Sequence, residues 1–470
     1  MNRTLPTALV AAMLAGCAPL TPHPTPAHDL PPHYAGAPSQ PAATPPAWGD
    51  YFTDPALQAV IRQALANNRD RALALARLDE AQALAGVQAS QRRPQVALDA
   101  QAQRSRVPAD LSITRRPLLG EQFQLGLGLA SWELDLWGRL ARLDDAAREA
   151  WLASDSAAQA VTLSLVQQVA QTWLQLAELD ERLRLARRTL DSREESLRIF
   201  KRRVELGATS RLALTQVQLL QTQAAALVSQ LQQQREAQWQ ALSLLVGGTP
   251  ASAEPRLAEL PPLQAGLPAD LLRQRPDLIA AEHQLLAADA NIEAARAAYL
   301  PRISLTAAFG SASAELSGLL KPGSSAWSLT PDVALPLLDG GRREQNLAVQ
   351  QARRRQALLS YERAVQQALR DVNDALSARQ HLAEQLAIAD QTLATQADRA
   401  HLAQRRYDTG AADFLQVLDA QRDLLAAEQQ QVQVRRALLA SQASLYAALG
   451  GGPLPSSTTT AQPALLGSQP

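Results

Sequence analysis

The chain has 470 residues, long enough for two or three ordinary domains. Its 45 basic residues balance 45 acidic ones, which excludes the basic surplus expected of a nucleic-acid-binding protein. Aromatic residues are only 4% of the total, and Ala, Leu, Gln and Arg dominate, a composition suited to long helices packed on one another.

In chain order, residues 1–16 read as a signal peptide: Arg3 is the positive start, and an apolar stretch runs from Leu5 to Leu14. It ends in Leu14-Ala15-Gly16-Cys17, which resembles the bacterial lipobox. That resemblance implies cleavage before Cys17 and a covalent diacylglycerol and N-acyl lipid on it, enough acyl chains for stable anchoring. Ala18 stands where Asp would hold a lipoprotein at the inner membrane, which favours the outer membrane. Cys17 is the only cysteine, so no disulfide framework is expected. Residues 17–55 form a Pro- and Ala-rich tether with His23, His28 and His33, too loosely spaced to define a metal site. No later stretch of about 18 apolar residues occurs, so a membrane crossing would have to be made by β-strands.

The chain then repeats itself. Lys201-Arg202-Arg203-Val204-Glu205-Leu206-Gly207-Ala208 matches Gln404-Arg405-Arg406-Tyr407-Asp408-Thr409-Gly410-Ala411 at an offset of 203, and Asp70 and Pro94 match Asp277 and Pro301 at an offset of 207. The repeats span 56–248 and 270–451, with a linker at 249–269 and a tail at 452–470. Each reads as helix, strand, strand, very long helix, helix. No Gly or Pro occurs in 139–206 or in 342–409, and each run makes a helix of roughly 100 Å at about 1.5 Å per residue. Val161, Leu165, Val169, Leu176, Leu179 and Leu183 mark the apolar face of the first, and Leu382, Leu386, Leu393 and Ala397 that of the second. Gly207 and Gly410 end these helices, and return helices follow at 208–246 and 411–449.

Strands are expected at about 94–107, 121–136, 301–315 and 325–338. Val96, Leu98, Ala100 and Ala102 alternate with Gln95, Asp99, Gln101 and Gln103, and a change of parity near Ala130-Ser131 suggests a bulge. The alternation suits a membrane barrel with lipid on one face, and equally a soluble sheet packed on helices. Four strands cannot close a water-filled barrel, whereas three chains would supply enough. Trp132, Trp137 and Trp327 fit a membrane interface or a buried core.

The stretches Ser131-Trp132-Glu133-Leu134-Asp135-Leu136-Trp137-Gly138, Arg273-Gln274-Arg275-Pro276-Asp277-Leu278, Ala298-Tyr299-Leu300-Pro301, Leu335-Pro336-Leu337-Leu338-Asp339-Gly340-Gly341 and Arg406-Tyr407-Asp408-Thr409-Gly410, leading to Leu418-Asp419-Ala420-Gln421, occur in that order. Together they make residues 45–452 similar to the TolC-like outer-membrane efflux factors, especially their lipoprotein branch. The resemblance implies a mainly α fold with a membrane β-barrel, built as a homotrimer with a twelve-strand barrel and a twelve-helix periplasmic tunnel. It also implies a periplasmic adaptor and an inner-membrane transporter as partners, outer-membrane lipids around the barrel, and a collar formed by the linker and the terminal segments.

Within that family the tunnel narrows at rings of acidic residues. Asp419, nine residues beyond Gly410, is the matching position, and Gln416 stands where some members carry a second Asp. Arg422 lies on the same helix face as Asp419 and can pair with it, and Leu415 can add an apolar constriction. Tyr407 matches a tip tyrosine that helps tie the helices closed, while Ala412 occupies the position of that family's cationic partner. Gly207 and Gly410 would shape the tips that meet the adaptor. No catalytic constellation, phosphate loop or metal-ligand pair is evident, so no enzyme activity, metal or nucleic-acid partner is expected. The rival reading is a periplasmic coiled-coil scaffold or adaptor lipoprotein without channel activity.

Overall fold

The computed structural model describes residues 31, 34, 45–252 and 254–453. Cys17 and the three tether histidines lie outside the described residues, as does the tail from 454. The elements are α1 (Trp48–Tyr51), α2 (Pro55–Asn67), α3 (Arg69–Ser90), β1 (Val96–Val107), β2 (Leu118–Glu133), α4 (Arg139–Glu205), α5 (Arg211–Val246), α6 (Leu271–Gln274), α7 (Pro276–Ala297), β3 (Arg302–Ser313), β4 (Ser325–Ala334), α8 (Arg342–Asp408) and α9 (Phe414–Ala448). Two compact units emerge, and neither follows one repeat. One comprises 79–153 and 281–361; the other comprises the described residues of 31–78, 154–280 and 362–453. Each takes residues from both halves of the duplication.

The first unit holds one antiparallel sheet in the order β1-β2-β3-β4. Its register slips between Leu129 and Trp132, and Ser131 there has φ of 41°. The bulge returns Trp132 to the face of its partner Leu305, which accounts for the change of parity in the sequence. Two strands end earlier than alternation alone suggests, at Glu133 rather than 136 and at Ala334 rather than 338. Aspartates turn the chain there. The Asp135 carboxylate accepts from the Leu140 and Ala141 amides at 2.9 and 2.7 Å, capping α4. Asp339 does the same for α8 through the Gly341 and Arg343 amides, both at 3.2 Å. Beside this turn, Glu133 bridges Arg139 at 2.8 Å and Arg302 at 2.9 Å, and Trp137 donates its indole N–H to the Pro301 carbonyl at 2.6 Å.

The second unit is built on the remaining lengths of α4 and α8 with α5 and α9. Its main core gathers Tyr51, Phe52, Val60, Ile61, Val169, Trp173, Leu176, Leu242 and Tyr446. Tyr51 stacks on Tyr446 with ring centroids 4.6 Å apart, and the Tyr446 hydroxyl donates to the Pro46 carbonyl at 2.9 Å. The N-terminal segment is thereby pinned to the end of α9. Arg275, in the Arg-Pro-Asp-Leu motif, donates to the Ala448 carbonyl at 3.1 Å and to Asp277 and Asp371, closing the same end of α9 onto α7 and α8. The linker lies along α8 and α9: Arg379 donates to the Leu263 carbonyl at 2.9 Å, and Arg435 to that of Leu257 at 3.3 Å.

Both long helices end in the same way. The Ala208 amide reaches back to the Arg203 carbonyl and the Ala411 amide to that of Arg406, each at 2.8 Å. Gly207 and Gly410 have φ of 69° and 74°. A Cβ on either glycine would meet nothing within 4 Å, so what these positions require is left-handed backbone, not space. The return helices start at Arg211 and Phe414, three residues later than the sequence suggests, because Ser210 and Asp413 are extended N-cap residues.

Candidate functional site

The strand register sorts the sheet's side chains into two faces. One carries Val96, Leu98, Ala100 and Ala102 opposite Leu129, Leu127, Leu125 and Phe123, then Leu305, Ala307 and Phe309, then Val333, Leu329 and Trp327. The other carries Asp99, Gln101, Gln122, Gln124, Thr306, Ser304, Thr330 and Asp332. The apolar face is bare: Leu98 is 73% exposed, Phe309 66% and Trp327 75%. A soluble sheet would bury such residues under a second layer.

The apolar band also runs obliquely across the strands. On β1 it reaches Ala102, but on β4 it ends at Trp327, in the row of Leu98. At the other edge, β4 continues four residues past the row of Val96, to Val333. Four residues are about 13 Å of strand, and three strand spacings about 14 Å, so the band crosses the strands at a slope of about 40°. Membrane barrels tilt their strands by roughly 35–45°.

Curvature separates the two faces further. Gly126 and Gly310 sit directly opposite each other on the polar face. A Cβ on Gly126 would stand 2.6 Å from the Phe309 carbonyl oxygen and 2.9 Å from the Gly310 Cα, and one on Gly310 would strike the Leu125 carbonyl and the Gly126 Cα. Crowding of Cβ positions marks the concave side of a bent sheet, so the polar face is the inner one.

In the second unit, α9 is braced from both sides. Towards α4, the pairs Glu178–Arg436, Arg188–Glu428, Arg193–Leu418 and Phe200–Phe414 run in opposite chain directions, so the two helices are antiparallel. Towards α8, Asp390–Gln431 and Arg399–Asp423 run antiparallel as well. Glu178 is 2% exposed and accepts from Arg182 at 3.0 Å and from Arg436 at 2.8 Å. Glu178→Leu leaves two guanidinium groups facing each other without their acid. Breaking a buried pair costs about 3–5 kcal/mol, and these arginines can turn partly to water, so a loss of about 3 kcal/mol is expected in urea unfolding of the assembled protein. An unchanged unfolding midpoint would dismiss the clamp.

The residues singled out in the sequence cluster near the start of α9. Val417 and Leu418 are buried, while Leu415, Gln416, Asp419 and Arg422 lie on more exposed faces of the helix. Arg422 stands 3.3 Å from Asp419 and also 3.2 Å from Asp423, whose carboxylate meets Arg399 on α8 at 2.7 Å. Asp423 was not legible as a partner, because its bond to Arg399 depends on the α8–α9 register. Hydrogen bonding by Arg399 holds its carboxyl below the ordinary range, and Arg422 adds to this. Tyr407 accepts from Arg203 of α4 at 2.6 Å, and its ring lies 4.9 Å from Phe414. The cation beside this tyrosine therefore comes from the other hairpin. Arg193, also unseen in the sequence, is 2% exposed and donates to the Leu418 carbonyl at 3.3 Å. Burial, with the charge of Arg422, lowers its pKa. Gly207 and Gly410 sit at the tips described above, and no helix among the described residues is long and apolar enough to cross a membrane.

The family model for outer membrane efflux proteins matches residues 60–248 and 267–451. The solvent efflux pump outer membrane protein SrpC of Pseudomonas putida is 38% identical over 86% of this chain and 87% of its own length. Outer membrane protein OprJ of Pseudomonas aeruginosa is 37% identical over 94% of this chain and 95% of its own. The open state of the Neisseria gonorrhoeae MtrE outer membrane channel superposes with a TM-score of 0.84 at 30% identity, covering 93% of this chain and 98% of that one. On its sequence, its duplicated helix–strand plan and its bare oblique sheet, the chain belongs to the outer membrane efflux protein family.

Proposed function

We infer that the chain is the outer-membrane duct of a tripartite efflux system, receiving substrates from a periplasmic adaptor and an inner-membrane transporter. The observation that carries this reading is the sheet: apolar and bare on its convex face, polar on its concave face, with the apolar band inclined as in a membrane barrel. A sheet of four strands has two open edges, β1 and β4. Closure by three copies supplies twelve strands and leaves no edge in lipid. The exposed Leu212 and Leu219 of α5 and Ile388 and Leu402 of α8 supply apolar contacts for neighbouring copies. The scaffold reading is disfavoured because it leaves the apolar face without a cover. Single-channel recording of the purified protein, with its mass in detergent measured on the same sample, tests the duct. A trimer that inserts and conducts supports it, and a folded monomer that never inserts overturns it.

Cys17 is proposed as the lipidated residue, which would tether the trimer to the same membrane as its barrel. Cys17→Ala is expected to leave an unprocessed precursor without acyl label, and normal acyl labelling of that variant would refute the lipobox assignment. Asp419, Arg422, Gln416 and Leu415 are proposed to line the periplasmic gate, with Tyr407 and Arg203 tying the hairpins together. Gly207 and Gly410 are proposed as the adaptor-facing tips. SrpC is named for solvents; which substrate this duct carries would be set by the transporter that feeds it.

A further inference from the structure

We propose that the far end of β1 and its hairpin form a binding site for the phosphate groups of anionic lipid at the membrane surface. The proposal rests on the reading of the sheet as a lipid-facing wall. Along β1 the apolar face runs Val96, Leu98, Ala100, Ala102, and the next two residues of the same parity are Arg104 and Arg106. Two guanidinium groups therefore stand on the lipid-facing side, just beyond the last apolar residue and at the hairpin end, remote from the ends that join the helices. Arg104 is positioned by Glu121, directly across the ladder and 2.9 Å from its Nε. Arg106 lies opposite Leu119 and is exposed.

The connection between β1 and β2 adds Arg115 and Arg116, both exposed. Residues 104–121 carry these four arginines against two acids, Asp110 and Glu121. Among the described residues, Arg106, Arg115 and Arg116 have no carboxylate partner. Leu111, Ile113 and Leu119 are interleaved with them, at 75%, 103% and 64% exposure. Alternating cations and bare aliphatic groups at the rim of an apolar band match the boundary where acyl chains meet phosphates. An arginine fork suits a phosphate with two parallel hydrogen bonds. The site is open rather than cupped, so a free phosphate would gain little from it. A lipid adds the contact of its acyl chains with the band below and is held by both.

The test uses the purified full-length trimer with lipid A, phosphatidylcholine and inorganic phosphate as separate probes, and native mass spectrometry as the readout. Retention of lipid A is expected to exceed that of phosphatidylcholine, and to fall about fivefold for each arginine removed in Arg104→Ser with Arg106→Ser. Phosphatidylcholine retention should not change, and millimolar inorganic phosphate should not displace lipid A. If the strand variants fail to assemble, Arg115→Ser with Arg116→Ser carries the test, since both residues lie outside the ladder. Equal lipid A retention in wild type and assembled variants overturns the site. So does displacement by inorganic phosphate, which would make it an anion site without lipid. A wild-type trimer that conducts but does not prefer lipid A removes this proposal and leaves the duct standing. A wild type that never inserts removes both.

Discussion

Gly310→Val is expected to abolish the assembled trimer. Gly310 and Gly126 face each other on the concave side of the sheet, and the atoms a new side chain would strike are backbone: the Leu125 carbonyl and the Gly126 Cα. A clash with the end of a flexible side chain can be relieved by a rotamer change, but this one needs the strands to part. Overpacking costs about 1–3 kcal/mol where side chains can adjust, and here it is repeated in every copy of a symmetric assembly. Gly126→Val should behave alike, since its Cβ would approach the Phe309 carbonyl oxygen to 2.6 Å. Gly86→Ala in α3 is the control, because nothing lies within 4 Å of that position. The measurement is the fraction of detergent-extracted protein that migrates as trimer, with and without heating. A Gly310→Val trimer of normal yield and heat resistance would show that the sheet is flatter than described and would remove the curvature argument for an inner polar face.

How much of this was legible beforehand depends on the range of each interaction. The Gly- and Pro-free runs coincide with α4 and α8 to within a residue at each end, because helix continuity is a local property. The change of parity near Ala130-Ser131 was visible because a bulge moves every later side chain to the other face. Strand ends were less visible: Leu136 and Leu337 keep the alternation going, and nothing local shows that Asp135 and Asp339 have begun to cap helices. Residues whose meaning lies in a partner far along the chain stayed hidden. Arg193 reads as one more surface arginine until α9 places the Leu418 carbonyl beside it. Arg104 acquires its partner Glu121 only once β1 is registered against β2. The tip glycines could be found from the repeat alone, but the Arg203–Tyr407 link joins one repeat to the other and no single segment announces it.

Asp419→Ala combined with Arg422→Ala is expected to raise channel conductance and antibiotic leakage. Asp419, Arg422, Asp423 and Arg399 form a relay of charges from α9 to α8, while Arg193 holds α9 against α4 through the Leu418 carbonyl. The double variant deletes the first two members and leaves Asp423 with Arg399 alone. Each exposed pair contributes only about 0.2–1 kcal/mol, but three symmetry-related copies open together. Their sum, about 0.6–3 kcal/mol, changes the ratio of open to closed channels by roughly three- to 150-fold. Asp423 fixes the sign of the pH dependence. Its folded-state pKa is depressed, so its contribution to closure is complete above the ordinary carboxylate value and is lost only as pH falls through the lowered one. Conductance of the wild type should therefore stay flat through neutral pH and rise only in acid. Glu195→Gln on α4, which removes an exposed acid that pairs within its own helix with Arg198, should leave conductance unchanged at every pH. An Asp419→Ala, Arg422→Ala trimer that assembles normally yet conducts and leaks like the wild type would place the constriction elsewhere along the duct.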